Sequence, residues 1–294
     1  MRWYPPAPCY NHKCISQEED TTQSMATTTT TTTTTTIVRC PHNNNSESSA
    51  LLSSSPPRLV QTLAEAKAAC ARLEQCRIIA LDMELSQQRT SLLQLAASRD
   101  EVFVFDLLAF EAAQQHHELF DAMHLLPILT DRTILKLVYD GRADAAALFQ
   151  HHGVAIQGLY DLQVVFTSLW QARDDPFLKG LQHALHCAGI SPYALRAFAR
   201  RKRAFRHLWR TAGTECVLRR PLDQDLLQYA AADVVHLFAM YEAWACMVTE
   251  RAVVSASMER ARQHLLRPDD TPWRIDFRPV RMHHRPFFLV SKRL

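Results

Sequence analysis

The spacing of hydrophobic positions changes several times along the chain, and each change marks an element. Leu59, Leu63, Ala66, Cys70 and Leu73 keep the three-to-four spacing of an amphipathic helix through Glu74. Ile78 to Leu81 is a continuous apolar run, short enough for a strand buried on both faces. Ser91 to Ala96 and Val102 to Phe105 read as two more strands, joined by a hairpin turn at Ser98-Arg99-Asp100. A helix is expected over Glu111 to Leu125 and a fourth strand over Ile134 to Tyr139. Another helix follows from about Ala143 to His151, with Leu148 and Phe149 facing the core. A short strand around Leu159 to Leu162 precedes a run of helices. Three strands in a meander, followed by strands alternating with helices, predict an α/β fold. Its mixed five-stranded sheet is flanked by helices, and its C-terminal half is helix-rich.

No such pattern exists before Pro57. Thr27 to Thr36 is an unbroken Thr run, followed by Asn43-Asn44-Asn45 and by Ser53-Ser54-Ser55-Pro56-Pro57. This composition buries too little apolar surface to offset chain entropy, so residues 1–57 are expected to be disordered and low in complexity. Residues 58–266 are then one domain and 267–294 a basic tail. A start at Met25 would leave a Ser/Thr-rich leader faintly like a mitochondrial transit peptide, although a plain disordered tail is the stronger reading.

Composition removes several function classes. The chain has 294 residues, 47% of them hydrophobic, enough for one sizeable core but hardly two. With only 6 glycines, it has neither a GxGxxG nor a GxxxxGK[ST] phosphate loop. No apolar run is long enough to cross a bilayer and no apolar signal core opens the chain, which predicts an intracellular protein of the nucleus or cytoplasm. The 8 cysteines include no C-x-x-C pair. The spacing of Cys9, His12, Cys14, Cys40 and His42 fits no familiar zinc finger, so reduced thiols are expected. The doublets His116-His117, His151-His152 and His283-His284 also lack ligand spacing.

Three places carry candidate chemistry. Asp82 and Glu84 close the first buried strand with Met83 between them. Alternation along a strand turns both carboxylates to one face, about 7 Å apart. A cation or a shared proton must offset their repulsion, and a hard divalent ion such as Mg²⁺ or Mn²⁺ suits oxygen ligands. Asp140 and Asp144 both lie where the fourth strand turns into a helix, beside the strand ends that α/β sheets use for function. On position alone, either could equally be a helix cap. In Pro221 to Met240, Asp223 is a suitable N-cap and Leu226, Ala230, Val234, Leu237 and Tyr241 mark the buried stripe. Tyr229 and Asp233, four apart, project side by side from that helix.

L-D-M-E, K-L-V-Y-D-G-R-A-D-A-A-A-L and R-P-L-D-Q-D-L-L-Q-Y-A-A-A-D-V together resemble the three exonuclease motifs of the DEDDy 3′-5′ exonucleases. That family includes the RNase D type and the exonuclease domain of Werner helicase. The resemblance covers roughly residues 59 to 250. It implies a ribonuclease H-like fold and metal-dependent hydrolysis of RNA or DNA from the 3′ end with two Mg²⁺ or Mn²⁺ ions. Asp82, Glu84, Asp144 and Asp233 would hold the ions, and Tyr229 would orient the attacking water. Asp144 fits the second motif better than Asp140, because Leu148 follows it by four. Two positions depart from the family pattern. Tyr139 stands where His is usual, and Val217 stands where Trp commonly precedes the Arg of R-P-L. Neither departure removes a metal ligand.

Between Arg196 and Arg220, nine basic residues face one acid, Glu215, with Phe198, Phe205, His207 and Trp209 interleaved. A basic helix with aromatics suits a phosphate backbone and stacked bases. Arg200, Arg201, Lys202, Arg203 and Arg206 are therefore the candidate nucleic-acid contacts. The competing function is an adaptor that binds nucleic acid on an inactive exonuclease fold. The presence of all five motif residues favours the enzyme.

Overall fold

The computed structural model describes residues 55–86, 89–170 and 178–266. Their centre is a sheet of six strands in the order β1-β4-β3-β2-β5-β6. The strands are β1 (Arg58–Val60), β2 (Ile78–Ser86), β3 (Arg89–Ser98), β4 (Glu101–Asp106), β5 (Leu135–Val138) and β6 (Leu159–Asp161). β2, β3 and β4 form the antiparallel meander, and β1, β5 and β6 join it in parallel. The mixed sheet is as expected, but it has six strands rather than five. Leu59, read above as the start of a helix, lies in β1 opposite Val104. Three residues are too few to display a period, and the partner that makes them a strand is more than forty positions away.

Local signals explain the helix boundaries. α1 (Leu63–Leu73) begins after Thr62, whose hydroxyl accepts from the Glu65 N–H while Glu65 reaches back to the Thr62 N–H. This reciprocal capping box is worth on the order of 1 kcal/mol. The helix expected over Glu111 to Leu125 is instead three short ones, α2 (Leu107–Ala112), α3 (His116–Leu119) and α4 (Leu125–Thr130). Asp106 caps α2 earlier than expected, and Gln114 adopts a left-handed φ of 59°, which breaks the helix after it. α5 (Arg142–His152) matches its expected span and stops at Gly153, whose φ of 68° suits a residue without Cβ. Leu148 faces the core, but Phe149 is 51% exposed. The two neighbours are about 100° apart on the helix, so the core can take only one of them.

The rest is helical: α6 (Leu162–Trp170), α7 (Leu181–Cys187), α8 (Pro192–Ala212), α9 (Gln224–Trp244) and α10 (Glu250–Leu265). Both faces of the sheet are covered. Ala80, Leu92, Ala96, Val104 and Leu137 pack with residues of α6 to α9, whereas Ile79, Leu81, Leu93, Leu95 and Phe105 pack with α1, α4 and α5. Asp82 and Glu84 therefore lie on the α9 side. β2 does not end at them, since its ladder continues to Ser86 across a bulge between Glu84 and Leu85. Two salt-linked anchors hold the flanking elements. Arg220 donates to both carboxylate oxygens of the buried Asp106 at 2.6–2.9 Å and to the Ser91 hydroxyl at 3.1 Å, tying the approach to α9 onto β3 and β4. Arg260 of α10 donates to Asp161 at 2.8 Å and to Asp140 at 3.3 Å, closing the β5 and β6 ends.

Candidate active site

Strand alternation on β2 and the helical turn of α9 bring three acids together. One carboxylate oxygen from each of Asp82, Glu84 and Asp233 lies within 4.8 Å of the others. Glu84 and Asp233 are buried and Asp82 is partly so. Burial first, and then Asp233, push the Asp82 carboxyl up to about 7, with Lys202 opposing. Burial, then Asp82 and Asp233, hold Glu84 well above the usual carboxylate range. Such a cluster costs energy unless cations neutralise it.

Asp144 and Asp140 have separate fates. Asp140 takes a left-handed φ of 64° at the β5–α5 turn. Its backbone N–H donates to Asp161 at 2.9 Å, and its carboxylate accepts from Arg142 at 2.6 and 2.9 Å. Burial opposes its ionisation, but Arg260 and Arg142 prevail and keep its pKa low. The next residue is Gly141, where a Cβ would stand 2.6 Å from Val138 Cγ2, so only glycine fits. The D-G-R of the second motif thus forms a tight, ion-paired turn. Asp144 lies one helical turn later, buried and without a basic partner in an ion pair among the described residues. Burial, followed by Asp82, Asp140 and Glu84, raises its pKa well above normal. It therefore feels the acid cluster, while remaining outside the compact trio.

On α9, Asp223 caps the N-terminus by accepting from the Asp225 N–H at 2.8 Å. Tyr229 lies one turn before Asp233. Its ring stacks on Phe205 with centroids 3.8 Å apart, and burial with the nearby acids raises its pKa well above that of a free phenol.

Lys202 corrects the expectation made for it. It does not join the basic face of α8 but turns inward. Its Nζ donates to Asp233 Oδ2 and, at 3.1 Å, to the Tyr229 hydroxyl, and lies 4.5 Å from the Tyr229 ring centroid. Burial works against the ammonium, but Asp233, Asp82 and Glu84 outweigh it and raise its pKa. Within one run of basic residues, nothing local distinguishes it. The signal available is its helical phase, for Lys202 shares a face with the buried Phe198 and Phe205, four before and three after it.

The other candidate contacts divide by that same phase. Arg200, Arg203 and Arg206 are exposed, and Arg201 is half-buried. Arg196, Arg200, Arg203 and Arg210 form one stripe along α8. Phe198 and Phe205 are core residues, which removes them as exposed stacking platforms. A groove of about 400 Å³ between α8 and α9 is lined by Arg200, Arg201, Phe205, Leu208 and Tyr229, among others. The His116-His117 and His151-His152 doublets meet at α3 and α5, with the His116 and His152 rings 4.8 Å apart. Among the described residues, only the acid trio brings three metal-ligating atoms within 4.8 Å. The N-terminal Cys and His candidates, His283-His284 and the basic tail lie outside the described residues.

The donor set suits a hard divalent cation. It consists of carboxylate oxygens alone, and Asp233 Oδ1 is buried without a hydrogen-bond partner. No described helix is long and apolar enough to cross a membrane.

A family model described as 3′-5′ exonuclease matches residues 57–248. Over 189 residues the chain is 27% identical to a Ribonuclease D of Nitrobacter hamburgensis, covering 63% of this chain and 42% of the relative. It thus spans less than half of that protein. Among solved structures it is similar to Trypanosoma brucei RNase D bound to GMP. That match has a TM-score of 0.62 and 28% identity, over 74% of this chain and 67% of the other. The complex of T. brucei RNase D with RNA U12 matches with a TM-score of 0.59 and 28% identity, over 74% and 72%.

Proposed function

The chain belongs to the 3′-5′ exonuclease family, and from that premise we propose that it shortens RNA from the 3′ end by metal-dependent phosphodiester hydrolysis. The observation that carries the proposal is the convergence of Asp82, Glu84 and Asp233 with a buried, unpartnered Asp233 oxygen. Asp144 supplies a fourth carboxylate from α5. Two Mg²⁺ or Mn²⁺ ions held by these residues would lower the pKa of a bound water and neutralise the leaving oxygen.

The remaining roles belong to the chain itself. Lys202 donates to the Tyr229 oxygen and the phenol hydrogen-bonds to Asp233, so Tyr229 is held at the acid cluster, where it can orient the attacking water. Burial raises the Asp233 pKa and Lys202 opposes that rise, its Nζ donating to Asp233 Oδ2. Arg200, Arg203 and Arg206 offer cations to the phosphate backbone, and the groove beside Tyr229 gives the 3′ end a route to the acids. RNA is the preferred substrate in this reading, because the relatives are named Ribonuclease D and one was solved with RNA U12.

The test is incubation of purified protein with 5′-labelled RNA and DNA strands, in Mn²⁺ or in EDTA. A ladder of shortened RNA only with metal is expected. Equal ladders in EDTA would remove the metal mechanism, and binding without shortening would make the protein an adaptor.

A further inference from the structure

Gln94 on β3 lies directly opposite Asp82 on β2 in the antiparallel register. Facing residues of such a pair project to the same side, with Cβ atoms about 4.5–5.5 Å apart. Its side chain therefore leaves β3 on the same face as the first of the acids, the α9 side. Gln94 is 0% exposed, and neither its Nε2 nor its Oε1 has a hydrogen-bond partner. Its same-face neighbours are apolar: Leu92 and Ala96 along β3, and Val104 across on β4. A buried amide with no partner is costly, and an apolar side chain of equal size would avoid that cost. Asp82 has the complementary need. Ionised, it only accepts hydrogen bonds. It is met by the Met83 backbone N–H and, among the described residues, by no side-chain donor.

We infer that Gln94 is a positioning residue for Asp82. With a cation bound, its amide N–H would donate to the carboxylate oxygen that the cation leaves over, and so fix the ligand's orientation. This inference rests on the reading of the acid cluster as a metal site. Partners that orient metal ligands in this way typically change affinity by about 10- to 100-fold when removed.

The experiment titrates the full-length protein with Mn²⁺, following the free-ion electron paramagnetic resonance signal, and measures melting temperature without metal. Gln94→Met is expected to bind Mn²⁺ about 10- to 100-fold more weakly, yet to melt at the same or a higher temperature, since an apolar group replaces an unpaired amide. Gln94→Asn keeps an amide one methylene shorter and is expected to recover part of the affinity. Unchanged affinity in Gln94→Met overturns the inference. So does a loss of affinity that tracks a lower melting temperature in both variants, which marks an amide held by buried water. Asp233→Asn reports non-specific binding. If wild type binds no more tightly than that variant, the metal-site reading itself fails.

Discussion

Asp140 and Asp144 share a motif and a charge, but their surroundings differ, and the proposed function gives them opposite tasks. Asp140 has two arginine partners and a strained backbone to hold. Asp144→Asn is expected to lower turnover by about 100-fold or more while leaving the melting temperature unchanged or higher, because one repelling carboxylate is gone. Asp140→Asn should instead cost roughly 1–3 kcal/mol of stability and keep turnover at a permissive temperature. Steady-state kinetics paired with denaturant melts decide the matter, and the reverse order would put the second motif four residues out of register. Lys202 yields a second prediction at this scale. Removing one member of a largely buried ion pair leaves the other uncompensated, so Lys202→Met should lose about 3 kcal/mol without metal. Mn²⁺ should restore part of that loss, because the ion supplies the missing positive charge. An equal loss with and without Mn²⁺ would show that Lys202 serves packing alone.

In the proposed function α8 handles the substrate, and its two faces differ. Phe198, Lys202 and Phe205 turn inward toward α9, and Arg196, Arg200, Arg203 and Arg210 turn to solvent. If the outer stripe tracks phosphates, binding releases condensed counterions and affinity falls steeply with salt. Changing Arg200, Arg203 and Arg206 together to Ser should make the slope of log K against log salt shallower by about 2, at about 0.7 per phosphate on a single strand. Fluorescence anisotropy of labelled RNA over a salt series measures this. Mn²⁺ affinity should not change, because these three residues, unlike Lys202, do not touch the acids. An unchanged slope would make the stripe a solvated face and require another entry route.

Over the whole molecule, stability also depends on charged groups outside the acid trio. Arg220 on Asp106 and Arg260 on Asp161 pin the helices that flank the site. Lys136 is different. It is 0% exposed on β5, donates to the Asp131 carbonyl, and is lowered by burial to about 8. Below that pH the folded state carries a buried ammonium, whereas the unfolded chain keeps its proton up to about 10.4. Between the two values the unfolded state binds more protons, so the Lys136 contribution to stability rises with pH. Lys136→Met should therefore be more stable than wild type below pH 8, by an amount on the order of 3 kcal/mol. That advantage should shrink steadily toward pH 10.5 in denaturant titrations. A constant difference would mean that Lys136 titrates alike in the folded and unfolded states.

Much of this molecule follows from local sequence. The apolar run at Ile78–Leu81, the alternation that pairs Asp82 with Glu84, the Asp223 cap, and the four-residue step from Tyr229 to Asp233 need only local sequence and strand and helix periodicity. The motif order was equally legible, because residue types at fixed spacing survive without knowledge of contacts. Other features depended on distant partners. β1 is a strand because β4 is beside it, and one of the two arginines that pair with Asp140 is Arg260, more than a hundred residues away. Lys202 left the basic face because Asp233 and Tyr229 stood across from it, and Gln94 became notable only once its pairing with Asp82 was known. Periodicity specifies which way a side chain points from its own element. Only packing the elements together decides what it meets there, and at buried charges that encounter sets both the energy and the role.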